Sequence, residues 1–427
     1  MHKEQITHAA TGEQYTKLVL NSGLTVLCYP VPEYTIAHAV FATDFGSVDR
    51  KFMLNGAEIE APAGVAHFLE HKMFENEDGK DAFELYAKTG ASANAFTSFD
   101  KTCYIFTASD NIDESLDILL SFVSHPYFTE ETVQKEQGII SQEIKMYDDN
   151  AEWRMFFALL GNMYKNAYVK EDIAGTVESI GEITAELLYA CAGAFYNPNN
   201  MVLSIAGNIT EEQILNACEK AGLTKKKDNP LVVKLQQEEP TEIVKKETVF
   251  SMEVAQPVLG LAFKEVPPKK EERIKYELMA DMLIELIAGE TTELFSYLHD
   301  EGFINPGFEG DVLSGDGYFS IFFAGETENP ARVEEELLKE IARLKKEGVQ
   351  KEDFENCKNA MYGESITEFE SISSIATNVA SAHLKDYTYF DVLDILASIS
   401  YEDITGACKS WFNTETMVKV LITPKEG

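Results

Sequence analysis

Residues 63–75 read AGVAHFLEHKMFE, an apolar helical stretch that carries His67, Glu70 and His71. Positions four apart lie on one face of an α-helix, so the two imidazoles converge on one point. Glu70 is close enough along the helix to reach a water molecule held at that point. The spacing therefore predicts a metal site with a carboxylate beside it. Two partly exposed histidines on an amphipathic helix are the alternative that this stretch leaves open.

A second helical stretch offers a further ligand. A hydrolytic zinc ion needs a third protein ligand and one open position for water. Residues 133–147, VQKEQGIISQEIKMY, belong to a helix predicted over 129–148, in which Glu136 and Glu143 are two turns apart on one face. We expect Glu143 to be the ligand and Glu136 to orient an imidazole. Two merely solvated carboxylates are the alternative for this face.

The two motifs together resemble the inverted zinc motif of the pitrilysin family, which includes insulin-degrading enzyme and the mitochondrial processing peptidase. HFLEH at 67–71, followed by ExxxxxxE at 136–143, carries the resemblance. It implies a zinc-dependent metalloendopeptidase with one Zn²⁺ per chain, bound by the two histidines and Glu143. It also implies that Glu70 is the general base and that Glu136 assists catalysis.

A third segment, SANAFTS at 92–98, also resembles the family. In relatives it forms an edge strand that pairs with the substrate backbone, so the resemblance implies substrate contacts from Asn94, Ala95 and Phe96. Phe96 would then line a side-chain pocket. An ordinary core aromatic is an equally good interpretation of that residue.

The second half of the chain departs from the family pattern. Active members carry an arginine and a tyrosine that hold the substrate carbonyl, but LFSYLHDEGFIN at 294–305 has His299 and Asn305 instead. Tyr297 and Tyr318 are near in the sequence, and no arginine is. We therefore expect a second family subunit that supplies arginine and tyrosine, with a homodimer as the alternative.

The whole chain is predicted to be α+β, with two similar domains. β-rich runs and helical stretches recur in both halves, and MVLSIAGNI (201–209) and MVKVLITP (417–424) end the halves alike. We expect a metal-bearing domain over 1–225, a charged, proline-containing linker over 226–242 and a second domain over 243–427. Each domain should be a mostly antiparallel sheet with helices on one face, and the resemblance implies that the pair forms half of a clamshell.

Composition excludes some classes of partner. The 427 residues include 72 acidic and 36 basic ones, for a net charge of −36. Nucleic acids and anionic membranes both require a basic face, so neither is expected as a partner. The acidity serves solubility in the simpler interpretation, and an acidic cavity that favours basic peptides in the other.

The cysteines and the apolar pattern indicate a compartment. Six cysteines are scattered without a CxxC pair, which is typical of a reducing environment. The N-terminus has no apolar core of a signal peptide, and no stretch approaches the ~18 apolar residues of a membrane span. The expected location is the cytoplasm.

Two alternatives from other classes stay open. One is a non-catalytic core or scaffold subunit of the same family, although such subunits tend to lose zinc ligands. The other is a zinc protein that hydrolyses something other than peptides. The presence of the complete ligand set favours a peptidase over both, because function depends on the site rather than on the fold.

Overall fold

The structure, a computed structural model, describes residues 1–77, 79–226 and 228–425. Strands and helices are mixed along the chain, and the predicted α+β class is confirmed. The chain forms two compact units, each assembled from three segments. Unit 1 comprises Met1–Gln142, Asp172–Leu235 and Ile366–Val392, and unit 2 comprises Glu143–Glu171, Gln236–Ser365 and Leu393–Gly427.

The strands and helices have the following bounds. The strands are β1 (His2–Thr7), β2 (Gln14–Val19), β3 (Thr25–Pro30), β4 (Ala37–Thr43), β5 (Lys51–Leu54), β6 (Ala57–Glu60), β7 (Ser92–Thr97), β8 (Thr102–Ala108), β9 (Met201–Gly207), β10 (Val232–Lys234), β11 (Glu247–Met252), β12 (Val258–Lys264), β13 (Glu309–Gly315), β14 (Tyr318–Glu326) and β15 (Met417–Pro424). The α-helices are α1 (Val65–Met73), α2 (Ala82–Thr89), α3 (Ile112–Ser124), α4 (Glu130–Asp148), α5 (Ala151–Met163), α6 (Val177–Ile180), α7 (Ala185–Phe195), α8 (Glu211–Lys220), α9 (Arg273–Ala288), α10 (Glu293–Asp300), α11 (Pro330–Glu347), α12 (Lys351–Thr367), α13 (Ile372–Leu384), α14 (Tyr389–Ser398) and α15 (Tyr401–Ser410).

Unit 1 is built on a mostly antiparallel sheet. Among its described residues the strand order is β1-β2-β3-β9-β4-β8-β7, and only β3 and β9 pair in parallel. The central strands β4 and β9 are buried at every position, and α13 packs on them. β7 ends the order, so it pairs with β8 along one side and forms an edge of the sheet.

Unit 2 has a second mostly antiparallel sheet, ordered β11-β15-β12-β14-β13 in the described part of the chain, with β11 and β15 parallel. Leu259, Leu261 and Phe263 on β12 join a core cluster with α9 and α11. The intervening Gly260 faces α5 so closely that an added Cβ would lie 2.7 Å from Met155 Sδ. Helices thus cover both faces of the unit 2 sheet, whereas the sequence predicted helices on one face. The reason is that β12 is apolar at odd and even positions alike, so both of its faces are buried.

The segment predicted to be a linker is ordered in the structure, apart from Lys227, which lies outside the described residues. β10 pairs antiparallel with β5 of unit 1. A few residues later Glu239 forms a buried ion pair with Lys264 at 2.8 Å. The predicted domain limits at 225 and 243 stay a prediction.

Candidate metal centre

Helix α1 brings the two histidines together. Gly64 precedes the helix with φ of 88°, a left-handed conformation that glycine adopts without strain. His67 and His71 then lie one turn apart, and their ring centroids are 4.6 Å from each other. His67 is 9% exposed. The imidazoles therefore converge, as the spacing predicts.

Helix α4 adds a carboxylate to this pair. His67, His71 and Glu143 each present a ligand atom, and these atoms all lie within 4.8 Å of one another. Among the described residues, this is the one group of three or more potential metal ligands that lie so close together. Because α4 extends from Glu130 to Asp148, one continuous helix carries both Glu136 and Glu143.

Glu136 contacts His71, the second histidine of α1. Its Oε1 lies 3.0 Å from His71 Nδ1, and the residue is only 7% exposed. A carboxylate bound to one ring nitrogen leaves the other nitrogen to face a metal and fixes the ring orientation. The structure therefore places the Glu136 carboxylate at hydrogen-bond distance from His71, and its role at a metal site stays a prediction.

Glu70 is buried beside the histidines and is held by a residue whose role the sequence did not reveal. The Thr97 hydroxyl donates to Glu70 Oε2 at 2.6 Å, and Glu70 is 7% exposed. Thr97 is the last residue of β7, on which α1 packs. The SANAFTS segment includes this threonine, but only the contact between α1 and β7 shows which residue it serves.

One buried and one partly buried phenol lie in the electrostatic surroundings of Glu70. Tyr104 and Tyr196 share a hydrogen bond of 2.8 Å between their hydroxyls. Burial raises the pKa of both phenols well above the usual range, and the charge of Glu70 raises the pKa of each further. Both hydroxyls therefore stay protonated near the carboxylate.

Lys72, directly after the second histidine, is a further residue that the sequence did not assign. It is fully buried, and its Nζ lies 2.5 Å from Glu75 Oε2 and 3.4 Å from Thr132 O. Thr132 is in the first turn of α4, so the ammonium connects α1 with α4. The sequence offered only a weak signal for this, a lysine in a helix rich in apolar residues, and a lysine is fully buried almost only when paired.

The predicted substrate residues lie along the edge strand β7. Asn94 and Phe96 are exposed and Ala95 is partly buried, in the alternation of a strand with one covered face. Phe96 is 36% exposed, which excludes the interpretation as a fully buried core aromatic. Asn94 Oδ1 accepts a hydrogen bond from the Ala95 amide.

In unit 2, the stretch that departs from the family has its own contacts. His299 is half-exposed on α10 and stacks on Phe295, and Asn305 donates to Glu326 Oε2 at 3.0 Å. An arginine distant in sequence, Arg332, donates to the Tyr297 hydroxyl at 3.1 Å. That contact could not be read from the sequence, because it joins α10 to α11.

The donor set fits zinc. Two imidazoles and one carboxylate are the ligands of many catalytic zinc sites, which leave a fourth position for water or substrate. Here the imidazoles and Glu143 meet that description, and Glu70 supplies a carboxylate outside the ligand group. No described helix has both the length and the apolar character needed to cross a bilayer.

Comparison with known proteins identifies the family. The model of the insulinase family, peptidase family M16, matches residues 55–177, and the model of the peptidase M16 inactive domain matches residues 182–361. "Uncharacterized zinc protease YmfH" of Bacillus subtilis (strain 168) is 36% identical over 411 residues, which cover 95% of this chain and 96% of YmfH. "Probable mitochondrial-processing peptidase subunit beta" of Schizosaccharomyces pombe is 29% identical over 205 residues, 47% of this chain and 43% of that protein.

A solved structure agrees. The crystal structure of an M16-like peptidase from Alicyclobacillus acidocaldarius superposes with a TM-score of 0.93 at 31% identity, and the match covers 100% of this chain and 99% of that chain. The resemblance drawn from the HFLEH motif is thereby confirmed. The chain belongs to the insulinase family, peptidase family M16.

Proposed function

We propose that this chain is a zinc-dependent metalloendopeptidase that binds one Zn²⁺ through His67, His71 and Glu143. The observation that carries the proposal is the convergence of these three ligands within 4.8 Å, with Glu70 buried beside them. The names of relatives such as YmfH, a zinc protease, support the same metal. A scaffold subunit would have no need of a complete ligand set with a positioned base.

The side chains divide the chemistry among them. When bound, zinc polarises the scissile carbonyl and lowers the pKa of its water. Glu70 accepts a proton from the attacking water and returns it to the leaving amine. Thr97 holds the carboxylate in place for both transfers through its 2.6 Å hydrogen bond. Glu136 orients His71 from the opposite ring nitrogen.

We propose that the substrate binds as an added strand on β7. An edge strand presents backbone N–H and C=O groups that can pair with an extended peptide and make little demand on its sequence. The position of β7 at the end of the sheet order supports this, as do the exposed side chains of Asn94 and Phe96. Ala95 lies between them on the covered face. Oligopeptides or small precursor proteins are the substrate class that such pairing accommodates.

A second subunit completes the site in this proposal. A carbonyl that develops negative charge requires positioned donors, and His299 and Asn305 are weaker donors than an arginine and a tyrosine. Tyr318 is buried in unit 2 against Tyr164, and Arg332 is bound to acidic neighbours on its own helix. A partner chain that carries the missing pair is therefore expected, with a homodimer as the alternative. The cytoplasmic location also stays a prediction.

The experiment that tests the metal and the base compares Glu143→Gln and Glu70→Gln with the parent chain. Glu143→Gln should lose most of its zinc, because the ligand loses its charge. Glu70→Gln should keep zinc and lose ~10²–10⁴-fold in peptide hydrolysis, the usual contribution of a general base. Zinc is measured by elemental analysis after dialysis, and hydrolysis by mass spectrometry of a peptide library. Glu131→Gln, an exposed site on the same helix, is the matched control.

Three results would contradict parts of the proposal. Full zinc retention in Glu143→Gln would exclude this residue as a ligand. Full activity in Glu70→Gln would exclude the base. Hydrolysis by the purified monomeric chain at a rate that an added M16 subunit with the arginine and tyrosine leaves unchanged would exclude the need for a second subunit.

A further inference from the structure

Glu143 has a hydrogen-bond partner that follows it by one helical turn. The hydroxyl of Tyr147 donates to Glu143 Oε1 at 2.8 Å. The two residues are four positions apart on α4, a spacing that places side chains on one helix face. The hydrogen bond is charge-assisted, because its acceptor is a carboxylate. A phenol therefore donates to the carboxylate of one of the three candidate metal ligands.

The tyrosine ring is itself held by the next helix. Tyr147 stacks on Trp153, with ring centroids 4.7 Å apart and an angle of 18° between the planes. The Asn150 side chain caps α5 by accepting a hydrogen bond from the Trp153 backbone amide at 2.9 Å. This cap fixes the position of Trp153 in the first turn of α5. Arg154 contacts Asp148 at 2.7 Å across the same corner. The turn between α4 and α5 thus presents the indole as a flat support for the phenol.

From these contacts we propose that Tyr147, supported by Trp153, is a positioning residue that sets the orientation of the Glu143 carboxylate toward the metal. The inference rests on the proposed function, in which Glu143 is a ligand. It adds a role to EIKMYDDNAEW, residues 143–153, beyond the ligand itself.

The physical argument concerns the two carboxylate oxygens. A carboxylate can bind zinc through one oxygen or both, and a free side chain samples several rotamers. The phenol binds Oε1 and limits rotation of the group, so Glu143 would present its carboxylate to an ion in one orientation. Loss of the hydroxyl should therefore weaken metal binding, since groups that orient a ligand typically contribute roughly 10–100-fold to metal affinity.

The decisive variant is Tyr147→Phe, which removes the hydroxyl and keeps the ring that stacks on Trp153. Zinc affinity, measured by competition with a chromophoric chelator, should fall about 10-fold or more. The Co²⁺-substituted protein should show a changed d–d absorption spectrum, because the ligand geometry changes. The melting temperature of the metal-free protein should match that of the parent, which a merely structural role of the hydroxyl would not predict.

Two further variants sharpen the test. Trp153→Leu removes the support and keeps the hydroxyl, so zinc affinity should fall in the same direction by a smaller factor. Tyr401→Phe is the matched control. It also removes a tyrosine hydroxyl, but this one lies on α15 and donates to Val349 O at 2.7 Å instead of to a candidate metal ligand. This control should keep the parent's zinc affinity and Co²⁺ spectrum.

The inference and the proposed function fail in distinguishable ways. Parent zinc affinity and an unchanged Co²⁺ spectrum in Tyr147→Phe would overturn the positioning role, provided that Glu143→Gln in the same assay loses zinc. If Glu143→Gln itself retains zinc, the ligand assignment fails, and the role of Tyr147 falls with it.

Discussion

Gly64 and Gly175 hold two backbone segments in mutual contact at the entrance to α1. A Cβ added to Gly64 would lie 2.5 Å from Ala174 O, and one added to Gly175 would lie 2.5 Å from Ala63 O. Both glycines also have positive φ, 88° and 76°. The start of the helix that carries His67 therefore depends on two residues that lack a side chain.

Gly64→Ala should destabilise the protein and weaken zinc binding. The left-handed conformation alone costs about 1–3 kcal/mol for a residue with a side chain, and the clash with Ala174 adds to this by displacing the first turn of α1. The measurements are urea denaturation and chelator competition. Gly56→Ala is the control, because Gly56 has φ of 90° and open space around it. Equal effects of the two substitutions on zinc affinity would contradict the importance of the contact.

Thr97→Val should lower turnover without removing zinc. The substitution keeps the shape and deletes the hydroxyl that donates to Glu70 Oε2. We expect kcat to fall about 10-fold or more, a part of the ~10²–10⁴ that a well-placed general base contributes. Thr97→Ser retains the hydroxyl and should keep most of the activity. Steady-state kinetics measures kcat, and elemental analysis measures the zinc content of each variant. Equal kcat values for Thr97→Val and Thr97→Ser would contradict the prediction.

Glu239→Ala should strongly destabilise unit 2. Glu239 and Lys264 form an ion pair of 2.8 Å with side chains 5% and 4% exposed, and Glu239 also accepts backbone N–H groups of residues 165–167. Removing one partner leaves a buried charge, which costs roughly 3–5 kcal/mol in the free energy of unfolding. Asp117→Ala, which breaks the exposed Lys220–Asp117 pair, is the control. Its free energy of unfolding, measured by urea denaturation, should fall by less than about 1 kcal/mol. Similar losses in the two variants would argue against the buried pair.

Glu265→Gln should change how stability depends on pH. Burial raises the pKa of Glu265 from 4.5 to about 7, although the amide of Phe412 and the charge of Lys345 oppose the rise. The folded state therefore favours the protonated carboxyl. Its stabilising contribution is complete below the unfolded value of 4.5 and is lost as the pH rises through about 7.

The glutamine variant stays neutral at every pH. Its free energy of unfolding should therefore increase relative to that of the parent as the pH rises. Urea denaturation of both proteins at about pH 5 and pH 8 measures the difference, which should be larger at the higher pH. Asp300→Asn, at a side chain that is 82% exposed, should give the same difference at both values. A pH-independent difference for Glu265→Gln would contradict the raised pKa.

Local pattern determined much of this protein from the sequence alone. The helical spacing of His67 and His71, and of Glu136 and Glu143, depends only on the pitch of the α-helix, so the candidate ligand faces could be read directly. A boundary with strong local signals was predicted closely: the helix expected over 129–148 is α4, Glu130–Asp148. The family followed from these short motifs.

Tertiary structure decided what depends on segments distant in the chain. Thr97 reaches Glu70 because β7 packs on α1, and Lys264 meets Glu239 because an apparent linker folds back onto β12. Periodicity cannot specify such pairs, because they are selected by the burial of whole elements rather than by neighbours along the chain. Helices α5 and α13 are further examples. Helix α5, from the first half of the chain, covers the sheet of unit 2, and α13, from the second half, covers the sheet of unit 1. Their apolar faces are visible in the sequence, but which sheet they bury is decided only when the complete chain collapses.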